Sequence, residues 1–394
     1  MSLKSINPTT GMTIKEYPEW NHEQIHLQIE KSLQAFHSWN ETTYSDRNHL
    51  LKKTAKILRD RKSEYAQLIT QEMGKPITQS EAEVEKCAWV CDFYAENGKK
   101  FLEEEYIQTD ANVSYIQFSP LGIILGIMPW NFPFWQVFRW AAPALIAGNV
   151  TLLKHSSNVP QCGYTIEEIF SKAGFPDNVF RYLPIRSRTV ENIIKDARVA
   201  AVSLTGSSYA GCETAKKAGE EVKKVVLELG GSDPFIVLPD IDLEYTVEQA
   251  VKARMINNGQ SCIAAKRFII VKDVFNEFQH AFTEKVKQLV VGDPLEKSTE
   301  IGPLARKDIL EQLARQVKQS TEKKAVILTG GKKLENYPGY FYAPTVISNV
   351  KKGMPVYDEE TFGPVAPLIK VNDEKEAIQI ANDTIYGLGA SIWA

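Results

Sequence analysis

Four short stretches hold side chains whose types and spacing could do chemistry. The first is Asn257-Asn258-Gly259-Gln260-Ser261-Cys262. Here a cysteine follows a small, polar turn that contains glycine. Such a turn exposes backbone N–H groups and leaves the side chain open to a ligand. A positive field there lowers the thiol pKa and makes a nucleophile. A lone cysteine is more often a small buried apolar side chain, so this motif needs company. The second stretch is Leu227–Pro234, LELGGSDP. Its carboxylate, Glu228, follows the apolar run Val225-Val226-Leu227. A carboxylate at the end of a buried strand is desolvated, which raises its pKa towards that of a general base working near neutrality.

The third stretch is Met128–Pro133, MPWNFP. Asn131 stands between two prolines at the exit of an apolar strand. A rigid turn of this kind aims an amide N–H, which a developing oxyanion needs. The same residue could instead cap its own backbone in an Asx turn. The fourth is Thr205-Gly206-Ser207-Ser208-Tyr209-Ala210-Gly211, between the strand-like AVSL and a helical pattern. Small residues at a strand-to-helix junction can present N–H groups and a helix N-terminus to a phosphate. The spacing is G-x-x-x-x-G, so the usual dinucleotide fingerprint is absent. Lys154 closes another apolar strand, NVTLL, and the carboxyl ends of strands are where α/β sheets bind ligands.

The elements that must position these groups follow from the hydrophobic pattern. The chain has 394 residues, 43% hydrophobic and 24% charged. That length exceeds a single core and predicts two or three domains. Ile25, Ile29, Leu33 and Phe36, then Leu50, Leu51, Ala55 and Leu58, recur at the helical period. The stretch 66–102 continues as helix, broken at Gly74-Lys75-Pro76. Residues 112–122 end in Ser-Pro-Leu-Gly and predict a strand. From Gly122, the runs GIILGIM, NVTLLK, VAAVSLTG, KVVLELGG and DPFIVL alternate with helical patterns near 162–173, 189–196 and 210–218. This predicts βαβ units and a mostly parallel sheet. After Gly231 the alternation restarts, with helices near 243–255 and 274–289 and strands at RFIIV, AVILTGG and APLIKV. That restart predicts a second α/β domain.

Composition excludes several function classes. A net charge of −3 leaves no basic excess for phosphate backbones, so nucleic acid is not an expected partner. The apolar stretch 121–148 is interrupted by Pro129, Asn131, Pro133, Gln136 and Arg139. It lacks the roughly 20 clean apolar residues of a membrane span and predicts a buried strand, a polar turn and a core helix. Cys87, Cys91, Cys162, Cys212 and Cys262 are odd in number and scattered, and no apolar leader precedes them. The expectation is a reduced, cytoplasmic protein. Cys87 and Cys91 are four apart on a helical pattern but lack a second ligand pair, so no metal site is expected.

Taken together, PWNFP, the strand ending in Lys154, TGS, LELGG, GQSC and Glu360-Thr361-Phe362-Gly363-Pro364 resemble the aldehyde dehydrogenase superfamily, in order and at about its separations. The resemblance runs from INPTTG to the last residue. It implies a parallel-sheet NAD(P)-binding domain formed by 1–102 and 120–228, an oligomerisation strand region at 103–119, and an α/β catalytic domain at 229–394. It implies that Cys262 attacks the aldehyde as thiolate, and that the Asn131 side chain and the Cys262 N–H hold the oxyanion. Glu228 would then hydrolyse the thioester, and its presence favours hydrolysis over acyl transfer to coenzyme A. Lys154 and Glu360 would hold ribose hydroxyls, Gly206 and Ser207 would border the pyrophosphate, and Trp130 and Phe362 would line the nicotinamide pocket.

Within the superfamily, the run from PWNFP through Trp135, Gln136 and Arg139 to LLKHSSNVP looks most like bacterial NAD(P)-dependent succinate-semialdehyde dehydrogenases. There the arginine matching Arg139 grips the substrate's distal carboxylate, as a guanidinium does by a bidentate pair. Some members carry a second arginine where this chain has Ile256, so glutarate semialdehyde, another short ω-oxo acid or a simple aliphatic aldehyde stays open. Members strict for NAD often have a glutamate where this chain has Ser157. NADP is therefore expected to be tolerated and NAD to remain usable, with a slight preference for NAD. Members of the superfamily also continue for some tens of residues beyond GLGASIWA, with a strand that pairs with a neighbouring subunit. A homo-oligomer, dimer or tetramer, is the expectation for a chain with that segment. The rival expectation is a truncated, weakly active or inactive protein that keeps only nucleotide binding.

Overall fold

In a computed structural model, which describes residues 2–394, the apolar runs form two separate sheets. The chain groups into two units. One contains residues through Ile6, Thr13–Glu72 and Ser80–Glu228, and the other Asn7–Met12, Met73–Gln79 and Leu229–Ala394. The short segments 7–12 and 73–79 join the second unit, an exchange that no composition shift in the sequence signals.

The first unit holds a five-stranded, all-parallel sheet. Its strands are Ile123–Met128, Val150–His155, Phe180–Tyr182, Val199–Thr205 and Lys224–Glu228. From one edge to the other the order is 180–182, 150–155, 123–128, 199–205, 224–228. The central strands are apolar because helices cover both faces, as parallel sheets require. Chain order reverses between the 123–128 and 199–205 strands, and in open α/β sheets the crevice beyond their carboxyl ends is the ligand site. The 224–228 strand lies at the edge, and Val226 is 62% exposed. Glu228 therefore does not end a buried strand, as its apolar neighbours suggested.

The N-terminal helices form as their periodicity predicts. His22–Asn40 and Tyr44–Asp60 each open with a capping box, Asn21 with Gln24 and Thr43 with Asp46. Lys62–Met73 and Ile77–Phe101 flank the predicted break. Before them an antiparallel pair, Ser2–Ile6 with Thr13–Pro18, was not foreseen. The expected strand at 112–118 is reduced to Tyr115–Ile116 paired with Glu105–Tyr106. A two-stranded ribbon with no third strand or covering helix gains little stability on its own, and its Tyr106 is 70% exposed. The 121–148 stretch folds as the strand 123–128, a turn and the helix Trp135–Ile146. Among the described residues no helix is long and apolar enough to cross a membrane.

The second unit holds a six-stranded sheet in the order Val326–Thr329, Thr345–Ser348, Val365–Val371, Ala265–Val271, Asp233–Val237, Ser391–Trp393. Only the 326–329 strand runs antiparallel to its neighbour. Helices Leu243–Met255 and Lys272–Lys287 pack Val247, Val251, Phe278 and Phe282 onto Phe235 and Phe268. Each such buried side chain contributes about 1.5–3 kcal/mol. The helix Lys307–Glu322 and the strand 345–348 were not read from the sequence. The helical period was legible there, in Ile309, Leu313 and Val317.

Candidate active site

In the first unit the groups of interest gather at the carboxyl ends of the parallel strands. Asn131 follows the 123–128 strand and is 5% exposed, and Trp130 beside it is half-buried. The turn is braced at its far end. Glu83 accepts from the Phe134 and Trp135 amides at 2.8 and 2.9 Å, placing a carboxylate at the N-terminus of the 135–146 helix. The six-membered ring of Trp140 in that helix packs against Gly126, where a Cβ would collide with the indole. This close approach sets the rotation of the helix and so the direction of its neighbour Arg139. The Arg139 guanidinium reaches Thr205 Oγ1 at 3.4 Å and the Glu228 carboxylate at 3.8 Å.

Lys154 is the penultimate residue of the next strand and is 6% exposed. Its Nζ donates to Ser187 Oγ at 3.2 Å. Burial pushes its pKa down to about 8, so this ammonium lies at the sheet's ligand-binding edge with one neutral partner. Ser157 lies in the half-buried turn that follows. Across the switch point, Gly206 donates its amide to the Glu228 carbonyl, and Ser207 caps the helix Ser208–Glu220. The first intrahelical bond is made by Gly211. The amides of Ser208 and Tyr209 therefore precede the helical ladder, as phosphate-binding N-termini require.

In the second unit the turn before Cys262 is held in an unusual backbone. Asn257, Asn258 and Gly259 all have left-handed φ, at 57°, 57° and 73°. Asparagine tolerates this region better than other residues with a Cβ. At Gly259 a Cβ would strike the Gly363 backbone, so only glycine fits. Side chains secure the turn. Asn258 donates to the Gly74 and Pro303 carbonyls and accepts from the Gly302 amide. Gln260 accepts from the Ala305 amide. Cys262, half-buried, follows this fixed turn.

The Cys262 carbonyl accepts from Lys266 Nζ at 2.7 Å, and the same ammonium lies 3.3 Å from Glu360 Oε1. Burial lowers the Lys266 pKa, against the pull of Glu360. Glu360 Oε1 also accepts the Gly231 amide at 3.2 Å. A Cβ at Gly231 would strike the Cys262 backbone carbonyl, which gives that glycine of LELGG a steric reason. The loop 360–364 is gripped by the fully buried Arg254, which donates to the carbonyls of Thr361, Gly363 and Val365. Phe362 is half-buried, with Lys266 Nζ 6.0 Å from its ring centre. Ile256 is 42% exposed.

The structure thus brings Arg139, Thr205, Gly206 and Glu228 together in the first unit, and Cys262, Gly231 and Glu360 together in the second. Sequence reasoning missed Glu83, His155, Arg254 and Lys266. Lys266, four residues after Cys262, and Arg254, eight before it, are buried cations inside an otherwise apolar pattern, and that pattern was the available signal. Glu83 and His155 carry no such signal, because their partners are backbone atoms distant in sequence. Cys87, Cys91 and Cys162 are buried, Cys212 is exposed, and all five cysteines are free thiols.

The first unit is thus an all-parallel sheet with a lysine and a helix N-terminus at its switch point, and the second holds a thiol behind a fixed turn. The profile of the aldehyde dehydrogenase family matches residues 1–394, and the chain belongs to that family. It is an oxidoreductase acting on an aldehyde with NAD or NADP. It is 48% identical over 393 residues to "Probable succinate-semialdehyde dehydrogenase, NADP(+)" of Synechocystis sp., covering 100% of this chain and 86% of that one. It is 44% identical over 396 residues to "Succinate-semialdehyde dehydrogenase, NADP(+), 1" of Mycobacterium tuberculosis, again covering 100% and 86%. Among solved structures, a succinic semialdehyde dehydrogenase from Streptococcus pyogenes in complex with NADP+ superposes with a TM-score of 0.97. It is 34% identical, with 100% of this chain and 86% of that one covered.

Proposed function

We propose that the chain oxidises succinate semialdehyde to succinate, with NADP preferred over NAD. The observation that carries the substrate is Arg139, a half-buried guanidinium held by Thr205 at the sheet's switch point. A carboxylate two carbons from the aldehyde suits such a partner. The relatives named for NADP support the cofactor preference, as does the neutral Ser157, and both outweigh the slight expectation of NAD.

The residues fit a dinucleotide on structural grounds. Among the described residues Lys154 Nζ donates to a hydroxyl, Ser187 Oγ, and the amides of Ser208 and Tyr209 lie ahead of a helix capped by Ser207. We assign Lys154 and Glu360 to ribose hydroxyls, Gly206 and Ser207 to the pyrophosphate, and Trp130 and Phe362 to the nicotinamide's surroundings. When bound, the nicotinamide accepts the hydride. The chain's own residues do the rest. Cys262 Sγ, as thiolate, adds to the aldehyde carbon. The Asn131 amide and the Cys262 N–H hold the resulting oxyanion. Once a thioester has formed, Glu228 takes a proton from water, which attacks the acyl carbon and returns Cys262 as thiolate.

The deciding experiment compares purified protein on succinate semialdehyde, glutarate semialdehyde and propanal with each cofactor. A kcat/KM highest for succinate semialdehyde with NADP supports the reading, and a preference for propanal overturns it. We also propose a homo-oligomer, because Tyr106, Ile107, Tyr115 and Ile116 leave an apolar ribbon exposed. A monomer by light scattering would rule that out. A cytoplasmic location is proposed from the five free thiols, which suit a reducing compartment.

A further inference from the structure

His155 is buried at the end of the 150–155 strand, directly opposite Met128 in the sheet register. None of the roles assigned above uses it. Its ring contacts the turn that carries Asn131. Nε2 lies 2.9 Å from the Pro133 carbonyl oxygen and Nδ1 lies 3.2 Å from the Met128 carbonyl oxygen, and Nδ1 also faces the Ser156 amide at 3.0 Å. Burial pushes the imidazole pKa down to about 4, so the ring is neutral near pH 7. A neutral imidazole has one donor and one acceptor. The Ser156 N–H can only donate, so Nδ1 accepts from it and Nε2 carries the proton. Nε2–H then donates to the Pro133 oxygen. The opposite tautomer would gain one bond, Nδ1–H to the Met128 oxygen, but would lose two, the Ser156 N–H to Nδ1 and Nε2–H to Pro133.

Asn131 lies midway along the turn that this ring spans. At one end Met128 is paired in the sheet with His155 itself. At the other, Pro133 is bonded to His155 Nε2, and the next two amides are held by Glu83. Pro129 and Pro133 fix φ at two further points. A turn tied at both ends leaves its central amide little freedom. Oxyanion stabilisation depends on that precision, since one donor contributes about 10²–10³ in rate and a displacement near 1 Å costs about 10²-fold.

We propose that His155 is a positioning residue for Asn131, and that its Nε2–H bond to the Pro133 carbonyl fixes the direction of the Asn131 amide for the thiohemiacetal step. The proposal rests on Asn131 being the oxyanion donor. His155 touches neither substrate nor cofactor in this role, and its effect reaches the reaction through the turn alone.

The test is the pre-steady-state burst of NADPH, which reads acylation, in a pair of amide variants. In His155→Gln the amide nitrogen falls where Nε2 was and can still donate to Pro133. In His155→Asn the polar atoms fall near Nδ1 and cannot reach it. Asn is one methylene shorter and leaves a larger void, so thermal stability is measured alongside, and the Asn131→Ala background separates positioning from lost packing. The expected result is a near-normal burst rate for His155→Gln and a loss of about 10- to 100-fold for His155→Asn. KM for the aldehyde and NADPH affinity, read by its fluorescence, stay unchanged, since Lys154 is untouched. In an Asn131→Ala background, His155→Asn should cost nothing further, because two residues acting through one group are not additive. Equal losses in the Gln and Asn variants, or multiplied losses in the double variant, would overturn the proposal. A normal burst for Asn131→Ala alone would instead remove the oxyanion assignment on which it rests.

Discussion

The Arg139 guanidinium and the Glu228 carboxylate lie 3.8 Å apart, with side chains 35% and 43% exposed. The residue proposed to grip the substrate and the residue proposed to activate water are therefore partners before any substrate arrives. At this separation and exposure the pair contributes no more than about 1 kcal/mol. A substrate carboxylate that meets the guanidinium bidentately makes shorter, charge-assisted bonds and displaces the weaker partner. Glu228 is then free to take a proton from water.

From this follows an asymmetric effect of Arg139→Ala. Losing a charge-assisted pair costs about 1.5–3 kcal/mol, which is about 10- to 150-fold. KM for succinate semialdehyde should rise by that factor, while KM for propanal, which has no second carboxylate, changes little. Steady-state kinetics on both aldehydes measures it. Equal losses on the two would make Arg139 a helix-packing residue whose contacts with Thr205 and Glu228 are its whole role.

Glu228 and Cys262 should separate the two half-reactions. Cys262→Ala removes the nucleophile, and turnover should vanish. Glu228→Gln keeps the shape of the side chain but cannot take a proton. It should give one equivalent of NADPH in a burst, then turn over about 10²- to 10⁴-fold more slowly than wild type. Rapid mixing with absorbance detection follows both phases. A Gln variant with ordinary steady turnover would show that water is activated by another group. The half-exposed edge strand beneath Glu228 makes solvent directly available to it.

Lys154 sets a pH dependence whose sign can be worked out. Its pKa in the folded protein is about 8, below the ordinary lysine value of 10.5, because burial disfavours the ammonium. Between those values the unfolded chain holds the extra proton, so this residue's contribution to stability rises with pH across the window from about 8 to 10.5. Cofactor binding moves the other way. A phosphate monoester with a second pKa near 6 is mostly dianionic by pH 8, so across pH 8–9 the pH dependence of NADP affinity follows the lysine's charge. NADP affinity should fall about fivefold from pH 8 to pH 9 as the site neutralises. In Lys154→Met the affinity should be weak and flat with pH. Titrations by protein fluorescence across pH 7–9 report this, and a wild-type curve as flat as the variant's would place the phosphate elsewhere.

Much of this architecture was legible because its signals are local. The 150–155 strand and the 243–255 helix announce themselves by period, and the reactive motifs by composition within five or six residues. What escaped the sequence depends on partners far along the chain. Glu228 reads as buried because Leu227 and Val226 precede it, yet strand order alone puts it on an edge. Asn257 and Asn258 read as a polar turn, and nothing local shows that both adopt left-handed φ, since the turn is held by distant partners, Gln79 at the Asn257 amide and Gly74, Gly302 and Pro303 at the Asn258 side chain. His155 reads as the end of an apolar strand, and its bond to Pro133 spans 22 residues.

Ser157 offers the cleanest handle on cofactor choice. It lies one turn beyond Lys154, at a half-buried position in the 156–158 turn, where Ser156 Oγ donates to Asn158 Oδ1 at 2.7 Å. That bond holds the turn without using the Ser157 side chain, so a longer residue can be placed there without unfolding it. In Ser157→Glu the new carboxylate would accept from the ribose hydroxyls of NAD and repel the 2′-phosphate of NADP. Like charges this close at a protein surface oppose one another by about 1–4 kcal/mol. NADP affinity should therefore drop by about tenfold or more, while NAD affinity holds or improves. Fluorescence titration with each dinucleotide measures the two constants separately. If both weaken equally, the substitution has disturbed the turn and residue 157 does not discriminate between the two cofactors. If NADP binding is unchanged, the 2′-phosphate lies beyond reach of residue 157, and the neutral serine is not what admits it.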